Sequence, residues 1–166
     1  MAVTGVTTQP QVVKLGGAVE ERYAYVDGEA FVAGDLIRIS SAGEVKVAEI
    51  NTAGAVHGIA LETVAAEVNE LAPVLLFAPD TIVRIQTIDG ESPADLSKGS
   101  SYTLEKGTGV WAVTATTTNG IALVVDYADT GTPWDDRYAS FDQDSTVDNN
   151  AVDVRFTAAT LDAHVA

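Results

Sequence analysis

Short runs in which apolar and polar residues alternate dominate the chain, and they predict β-strands. In the clearest run, residues 44–50 (EVKVAEI), the two valines point to one side, and the glutamate and the lysine that precede them point to the other. A turn at Gly43 separates this run from a second predicted strand at residues 36–40 (LIRIS). Two such runs joined by a glycine turn predict a hairpin.

The same pattern continues along the chain and predicts an all-β protein. Val and Thr are abundant and favour half-buried strands, the 14 glycines fall mostly between the runs, and long helical periodicity is missing. We therefore expect a small β-barrel or sandwich, with a tulip-like layout also compatible with the pattern. Further strands are predicted at residues 22–27, 29–33, 58–62, 73–78, 81–88, 101–105, 110–114, 120–126 and 151–157.

Two stretches of the chain share one layout, which indicates a weak internal repeat. Residues 34–61 and residues 99–123 each run from a glycine through a strand, a glycine turn, an alternating strand and a loop to the sequence Gly-Ile-Ala-Leu. Two units are too few for a solenoid, so they favour two hairpin sets in one barrel or sandwich. We expect one β-rich domain over residues 20–166, with hairpin modules at 20–90 and 91–166.

The first 19 residues differ in composition from the rest and predict an extended arm without a core of its own. Lys14 is the only charged side chain among them. The composition fits two interpretations: a frayed terminus, or an arm that docks onto another chain by strand addition. In the second case the contact residues are the scattered apolar ones, Val3, Val6, Val12, Val13 and Leu15.

The charge balance excludes several functional classes. Nine Lys and Arg against 24 Asp and Glu give a formal net charge of −15, which repels phosphate backbones and anionic membrane surfaces. No apolar run approaches the roughly 20 residues of a membrane span, and the first residues do not resemble a signal peptide. With no cysteine and two histidines, thiol chemistry and Cys-based zinc sites are excluded and imidazole chemistry is nearly absent.

The remaining candidates for chemistry are weak, and we expect no enzyme and no cofactor. His57 stands at a strand entrance without a motif that supplies a nucleophile or an orienting carboxylate, so a structural or surface role is favoured. Asp142, Asp144 and Asp148 could hold Ca²⁺, but the segment lacks the glycine and glutamate of an EF-hand loop. A solvated acidic loop at residues 142–150 is the better interpretation.

Trp134 is the best candidate for a surface contact, because it lies in a predicted loop beside Asp135 and Asp136. Trp111 lies within an alternating strand and is expected in the core or an interface. These features leave open a β-sandwich binding module that recognises carbohydrate, with or without Ca²⁺. A small hydrolase with paired carboxylates is a third alternative, for which no substrate recommends itself.

Two segments carry a resemblance to a known family. Residues 32–48 (VAGDLIRISSAGEVKVA) and 55–62 (AVHGIALE) resemble the capsid decoration, or cement, proteins of tailed bacteriophages, in which a Gly-Asp pair, a hairpin, a variable loop and a Gly-Ile-Ala-Leu return strand recur. The second half is similar at Gly99, Gly109 and residues 152–156. The resemblance extends diffusely over residues 20–166 and leaves the acidic loop at 142–150 without a counterpart.

The resemblance implies a non-enzymatic virion protein on the capsid exterior. Its partners would be the major capsid protein and further copies of the chain, as a homotrimer that clamps neighbouring capsid subunits. In several such proteins an N-terminal arm adds to a capsid strand, and residues 1–19 have a suitable composition. The alternative is that a β-sandwich of this kind serves as a binding module in a fibre or tail of the phage.

Overall fold

The computed structural model describes residues 9–24, 29–49, 55–65, 71–88, 95–107, 110–127 and 151–161. Nearly all regular structure in these ranges is β, in agreement with the alternation of the sequence. The elements are β1 Gln11–Lys14, β2 Val19–Ala24, β3 Leu36–Ile39, β4 Val45–Val47, β5 Gly58–Ala60, β6 Leu71–Leu76, β7 Ile82–Gln86, β8 Ser101–Tyr102, β9 Leu104–Gly107, β10 Val110–Val113, β11 Ala122–Tyr127, β12 Ala151–Phe156 and the short helix α1 Ala158–Leu161.

The strands form two five-stranded sheets and a separate hairpin. The first sheet has the order β1-β7-β12-β11-β8, the second sheet has the order β2-β6-β5-β3-β4, and β9 pairs with β10. All pairings between these strands are antiparallel. The all-β prediction is confirmed, and of the predicted layouts a closed barrel is not the one observed.

One long two-stranded ribbon runs through both sheets. Gln11 faces Arg84 where β1 pairs with β7, and Ala24 faces Leu71 where β2 pairs with β6. From the first pair to the second, the chain advances thirteen residues on one segment and goes back thirteen residues on the other. The same pairing register therefore holds in β1–β7 at Gln11 and in β2–β6, on both sides of the interruption between them. The ribbon of residues 11–24 and 71–84 therefore joins the two sheets.

The ribbon bends where both of its strands are interrupted, and glycine is required there. Gly16 has a φ of +55°, and a Cβ at this position would lie 2.1 Å from the carbonyl oxygen of Asp80. Thr81 fastens the bend, because its Oγ1 donates to the Leu15 carbonyl (2.7 Å) and accepts from the Ala78 N–H (2.9 Å). The two turns can approach this closely only without a side chain between them.

The main hydrophobic core contains side chains from both sheets and from the β9–β10 hairpin. Trp111 of β10 is fully buried in it, and the rings of Phe77 and Phe156 stack with centroids 5.5 Å apart. The second sheet has a further apolar cluster on its opposite face, around Phe31 and Ile37. A sheet with two apolar faces explains why Leu36 and Ile37 are adjacent in β3, since Leu36 packs in the main core and Ile37 in the second cluster.

The face of the first sheet opposite the main core is polar, and it is buried around Arg84. Arg84 on β7 lies opposite Asp153 on β12 and binds both of its carboxylate oxygens, at 2.6 and 3.1 Å. Gln11 and Gln86 are buried on the same face. The side chains of Arg84 and Asp153 are only 4% and 13% exposed. Removal of either one would destabilise the fold, since the other charge would stay buried without a partner.

The two stretches of the predicted repeat each contain a hairpin and a return strand, but their strands pair differently. In the first unit β3 pairs with β4 and with the return strand β5, where Leu36 faces Ile59. In the second unit β9 pairs with β10, and β8 pairs with the return strand β11, where Tyr102 faces Ala122. Along the chain the strands pass from the first sheet to the second between β1 and β2, and return to the first between β6 and β7.

The predicted N-terminal arm needs correction for its second half. Residues 11–14 form β1 within the first sheet, Val12 is buried in the main core, and Leu15 packs against that core. Residues 11–14 and 19 therefore take part in the strand pairing of the domain and are not a separate extended arm, and Gln11 and Val12 are buried. Val3 and Val6 lie outside the described residues.

We expect the two halves of residues 1–14 to differ in their effect on stability. Deletion of residues 1–14 should lower the free energy of unfolding by about 3 kcal/mol more than deletion of residues 1–8, because it removes β1 and the buried Val12. Urea unfolding followed by Trp fluorescence measures the difference. Equal stability of the two truncated proteins would contradict the assignment of β1 to the fold.

A pair of glycine substitutions tests the bend of the ribbon. Gly43 has a φ of +78°, and a Cβ at this position would meet open space, so Gly43→Ala should cost about 1 kcal/mol from backbone strain alone. Gly16→Ala adds the clash with the backbone of Asp80 and should cost about 2 kcal/mol more. Thermal and urea unfolding of both variants give the comparison, and equal losses would show that the bend has room for a side chain.

Candidate functional site

The most exposed strand of the described chain is β2, at an edge of the second sheet. It pairs with β6 over six residues, and in the described part of the chain no strand pairs with its other side. Val19, Glu20, Glu21 and Arg22 are exposed, and Val19 retains 52% of its accessible surface. An exposed strand edge presents backbone donors and acceptors that another extended chain can pair with.

The hydrogen bonds of β6 show which β2 residues face the free edge. The Leu61 N–H donates to the Pro73 carbonyl (3.1 Å) and the Phe77 N–H donates to the His57 carbonyl (2.8 Å), so residues 73, 75 and 77 direct their backbone groups toward β5. The alternate residues of β6, 72, 74 and 76, therefore face β2.

The pairing register carries this alternation over to β2. Val19, Glu21 and Tyr23 lie opposite residues 76, 74 and 72, and they make the hydrogen bonds to β6. Arg22 lies opposite Pro73, which has no N–H to donate. Glu20 and Arg22 accordingly direct their N–H and C=O groups away from β6, toward the free edge.

The side chains of β2 place charges on both faces of the sheet, two acidic and one basic. Glu20 and Arg22 project to one face, and Glu21 projects to the other together with Tyr23. Tyr23 packs against the second apolar cluster, and burial together with the neighbouring Glu21 raises the pKa of its hydroxyl above the usual 10.0. Charged side chains of this kind protect an open edge from indiscriminate pairing.

The other edge strands of the two five-stranded sheets, within the described residues, have fewer backbone groups available for pairing with an added strand. At the outer strand β4, three residues long, the Val47 N–H already donates to Glu29 Oε1 (2.9 Å). The edge strand β8 has two residues, and β1 begins with the buried Gln11 and Val12. Among the edge strands of the two five-stranded sheets, β2 is therefore the one best suited to an incoming strand.

Asp35, from the Gly-Asp pair of the family resemblance, has a structural role at the start of β3. Its carboxylate is buried, and Oδ2 accepts a hydrogen bond from the Val32 N–H (2.9 Å). Oδ1 accepts from Trp111 Nε1 (3.1 Å) and pairs with Lys106 Nζ (2.7 Å). Lys106 Nζ also lies 5.5 Å from the centre of the Trp111 ring, within range of a cation–π contact.

This network fixes the β9–β10 hairpin against the second sheet. Both oxygens of Asp35 are engaged, so its buried charge is satisfied by three donors, two of which come from the distant hairpin. Trp111 was expected in the core or an interface, and it lies in the core, with its indole N–H bonded to Asp35. The Gly-Asp pair is visible in the sequence, but no local signal indicates these two partners, which lie more than 70 residues away.

His57 also has a structural role. It is buried, and its Nδ1 accepts a hydrogen bond from the Ile39 N–H (2.8 Å), so this nitrogen carries no proton. The backbone of His57 bonds to both neighbouring strands through Ile37 and Phe77. The side chain thus extends the pairing at the end of β3, which agrees with the structural interpretation of the sequence.

The structure places the predicted contact residues as follows. Val12 is in the core, Val13 is half-buried on β1, and Leu15 lies at the bend of the ribbon, so none of the three belongs to a separate arm. Trp134 and the acidic loop at residues 142–150 lie outside the described residues, as do Asp135 and Asp136.

Comparison of the chain with protein-family models finds no match, and comparison with curated proteins finds none either. Within the described ranges, no group of three or more His, Asp or Glu side chains is placed to hold a metal ion. Those ranges also contain no helix long and apolar enough to cross a membrane.

Removal of the Asp35 carboxylate should destabilise the fold strongly. Asp35→Ala leaves Lys106 Nζ and the Trp111 indole N–H without their acceptor in a buried site, at an expected cost of about 3 kcal/mol in the free energy of unfolding. Lys98→Ala is the matched control, because its pair with Asp126 is exposed and should contribute less than about 1 kcal/mol. Urea unfolding measures both variants, and a loss at Asp35 no larger than at Lys98 would contradict the structural role.

Proposed function

We propose that this chain is a non-enzymatic capsid decoration protein, which binds the outer surface of a tailed-phage head and clamps neighbouring major capsid subunits. The observation that carries the proposal is the resemblance at residues 32–48 and 55–62, together with what those residues build. They form one continuous unit, in which β3 pairs with the hairpin strand β4 on one side and with the return strand β5 on the other.

The Gly-Asp pair supports the proposal because its residues have specific roles at the start of this unit. Gly34 has a φ of +91°, and a Cβ on it would lie 2.6 Å from the side chain of Gln9. Asp35 binds Trp111 and Lys106 of the distant β9–β10 hairpin. The resembling residues thus fix the domain's framework, as expected where a family shares its layout but has no catalytic signature.

The charge of the chain fits a position outside the head. A formal net charge of −15 repels the DNA phosphates packaged inside a capsid and keeps free copies apart in solution. The exposed strand β2 with Glu20 and Glu21 belongs to this acidic surface. A major capsid surface that receives the protein should therefore be neutral or basic at the contact.

Clamping by a small protein requires many weak contacts that act together. A homotrimer on the capsid multiplies the contacts of each copy, and simultaneous engagement raises the overall affinity without any stronger single contact. Residues 1–8, with Val3 and Val6, are the segment that could reach a neighbouring chain, since residues 11–19 belong to the domain.

Co-sedimentation tests the proposal directly. Phage particles from the source are banded on a density gradient, and the chain is quantified against the major capsid protein by mass spectrometry. We expect a band in which the chain is stoichiometric with the capsid subunit. Stripped particles, to which the purified protein is added back, serve as the control for specific binding.

Two other results would overturn the proposal. A few copies per particle would instead assign the chain to a fibre or tail structure. Absence from the particles, with no rebinding, would favour the carbohydrate-binding module in which Trp134 makes the contact. A thermal melt with Ca²⁺ and with EDTA then shows whether that module binds the ion, because a bound ion raises the melting temperature.

A further inference from the structure

We propose that the free edge of β2 pairs with the same edge of a second copy of this chain, antiparallel across a two-fold axis at Glu21. The inference goes beyond the proposed function, because the contact joins copies in solution and needs no capsid. A two-fold contact relates two copies only, so it is also distinct from the contacts that would close a homotrimer.

The backbone groups of the edge restrict how two copies can pair. Glu20 and Arg22 direct their N–H and C=O groups away from β6, since the alternate residues of β2 make the bonds to that strand. Both residues are exposed, and no other described strand pairs with this edge. In an antiparallel pair, two residues that face each other through such groups exchange two hydrogen bonds. Outward-facing residues of one copy must therefore lie opposite outward-facing residues of the other.

The charges of β2 distinguish between the registers that satisfy this condition. An axis at Glu20 or at Arg22 places that residue opposite its own copy, so like charges lie side by side. An axis at Glu21 places Glu20 opposite Arg22 of the second copy and, by symmetry, Arg22 opposite Glu20. This register joins the copies through two opposite-charge pairs, each with its backbone hydrogen bonds.

The other face of the strand gives the same register an apolar contact. Val19 projects to the face opposite Glu20 together with Tyr23, and its side chain is 52% exposed. With the axis at Glu21, Val19 lies opposite Tyr23 of the second copy, and Tyr23 lies opposite Val19. Aromatic and β-branched side chains in such positions stabilise neighbouring strands. The pairing thus covers an apolar side chain that the single copy leaves exposed.

The two copies of Glu21 meet at the axis as a like-charge pair. Their repulsion opposes association, so we expect a weak dimer that dissociates on dilution. Glu21→Gln removes this repulsion and keeps the size of the side chain, and it should strengthen the dimer severalfold.

Exchange of the charges at positions 20 and 22 tests the register. Glu20→Arg and Arg22→Glu each turn both opposite-charge pairs into like-charge pairs, so each variant alone should associate about tenfold more weakly than the unaltered chain. The double variant restores both pairs and should associate as the unaltered chain does. A mixture of the two single variants should associate as well, because one copy then carries arginine and the other glutamate at both positions.

The measurement is sedimentation equilibrium of the full-length protein over a range of concentrations. Glu62→Arg and Lys14→Glu make the same changes of net charge at exposed positions outside β2, and they serve as matched controls that should leave the dimer unchanged. Since Glu20 and Arg22 are exposed, the melting temperatures of the diluted variants should stay equal, which checks that the fold is kept.

A backbone variant separates strand pairing from a contact of side chains alone. Arg22→Pro and Arg22→Ala both remove the guanidinium, but only proline removes the N–H that faces the edge. Proline is tolerated on an edge strand where its nitrogen faces solvent, as it does here in the single copy. Arg22→Pro should therefore weaken the dimer about tenfold relative to Arg22→Ala, since a hydrogen bond is lost in each copy.

Three outcomes would overturn the inference. They are a monomer at every concentration, a double variant and a mixture that associate as weakly as the single variants, and equal association of the Pro and Ala variants. Dimers as expected, in a protein that does not bind particles, would overturn the proposed function and leave this contact in place.

Discussion

The ribbon of residues 11–24 and 71–84 is the constraint on which the rest of the structure depends. Because both of its strands cross from the first sheet to the second in one register, the two sheets cannot move apart without breaking the β1–β7 or the β2–β6 ladder. The crossing is possible because Gly16 adopts a positive φ and leaves room for the backbone of Asp80. The main core then fills the space between sheets that the ribbon already holds together.

Two buried charges specify how the remaining parts attach to this framework. Asp35 binds the β9–β10 hairpin through Lys106 and Trp111, and Arg84 binds Asp153 across β7 and β12. Buried ion pairs of this kind add little net stability compared with apolar packing, because each charge is removed from water. Their geometry, however, is restrictive: a hairpin or strand in another position would leave a buried charge without a partner.

Local patterns in the sequence located most of the strands but not the long-range pairing, and they also predicted a strand at residues 29–33, where the structure has only an isolated bridge from Phe31 to Val64. Residues 44–47 alternate and yield β4, and residues 151–157 yield β12 in the same way. Residues 11–14 show no such alternation, since their assignment depends on pairing with β7 some 70 residues later. For the same reason Val12 was predicted in an arm, whereas it lies in the core. The exposed edge of β2 could not be predicted from the sequence either, because it follows from the position of β2 in the sheet order.

The orientation of β2 follows from one residue on the neighbouring strand. Pro73 has no N–H, and its carbonyl accepts from Leu61, so its backbone groups face β5 and those of Arg22 face the open edge. A shift of this pairing by one residue would exchange the buried and the open groups of β2 and move Tyr23 away from the second apolar cluster. The register of the ribbon thus determines both what the second sheet buries and which backbone groups it offers to another chain. The charged side chains of Glu20, Glu21 and Arg22 on that edge disfavour indiscriminate pairing with other strands.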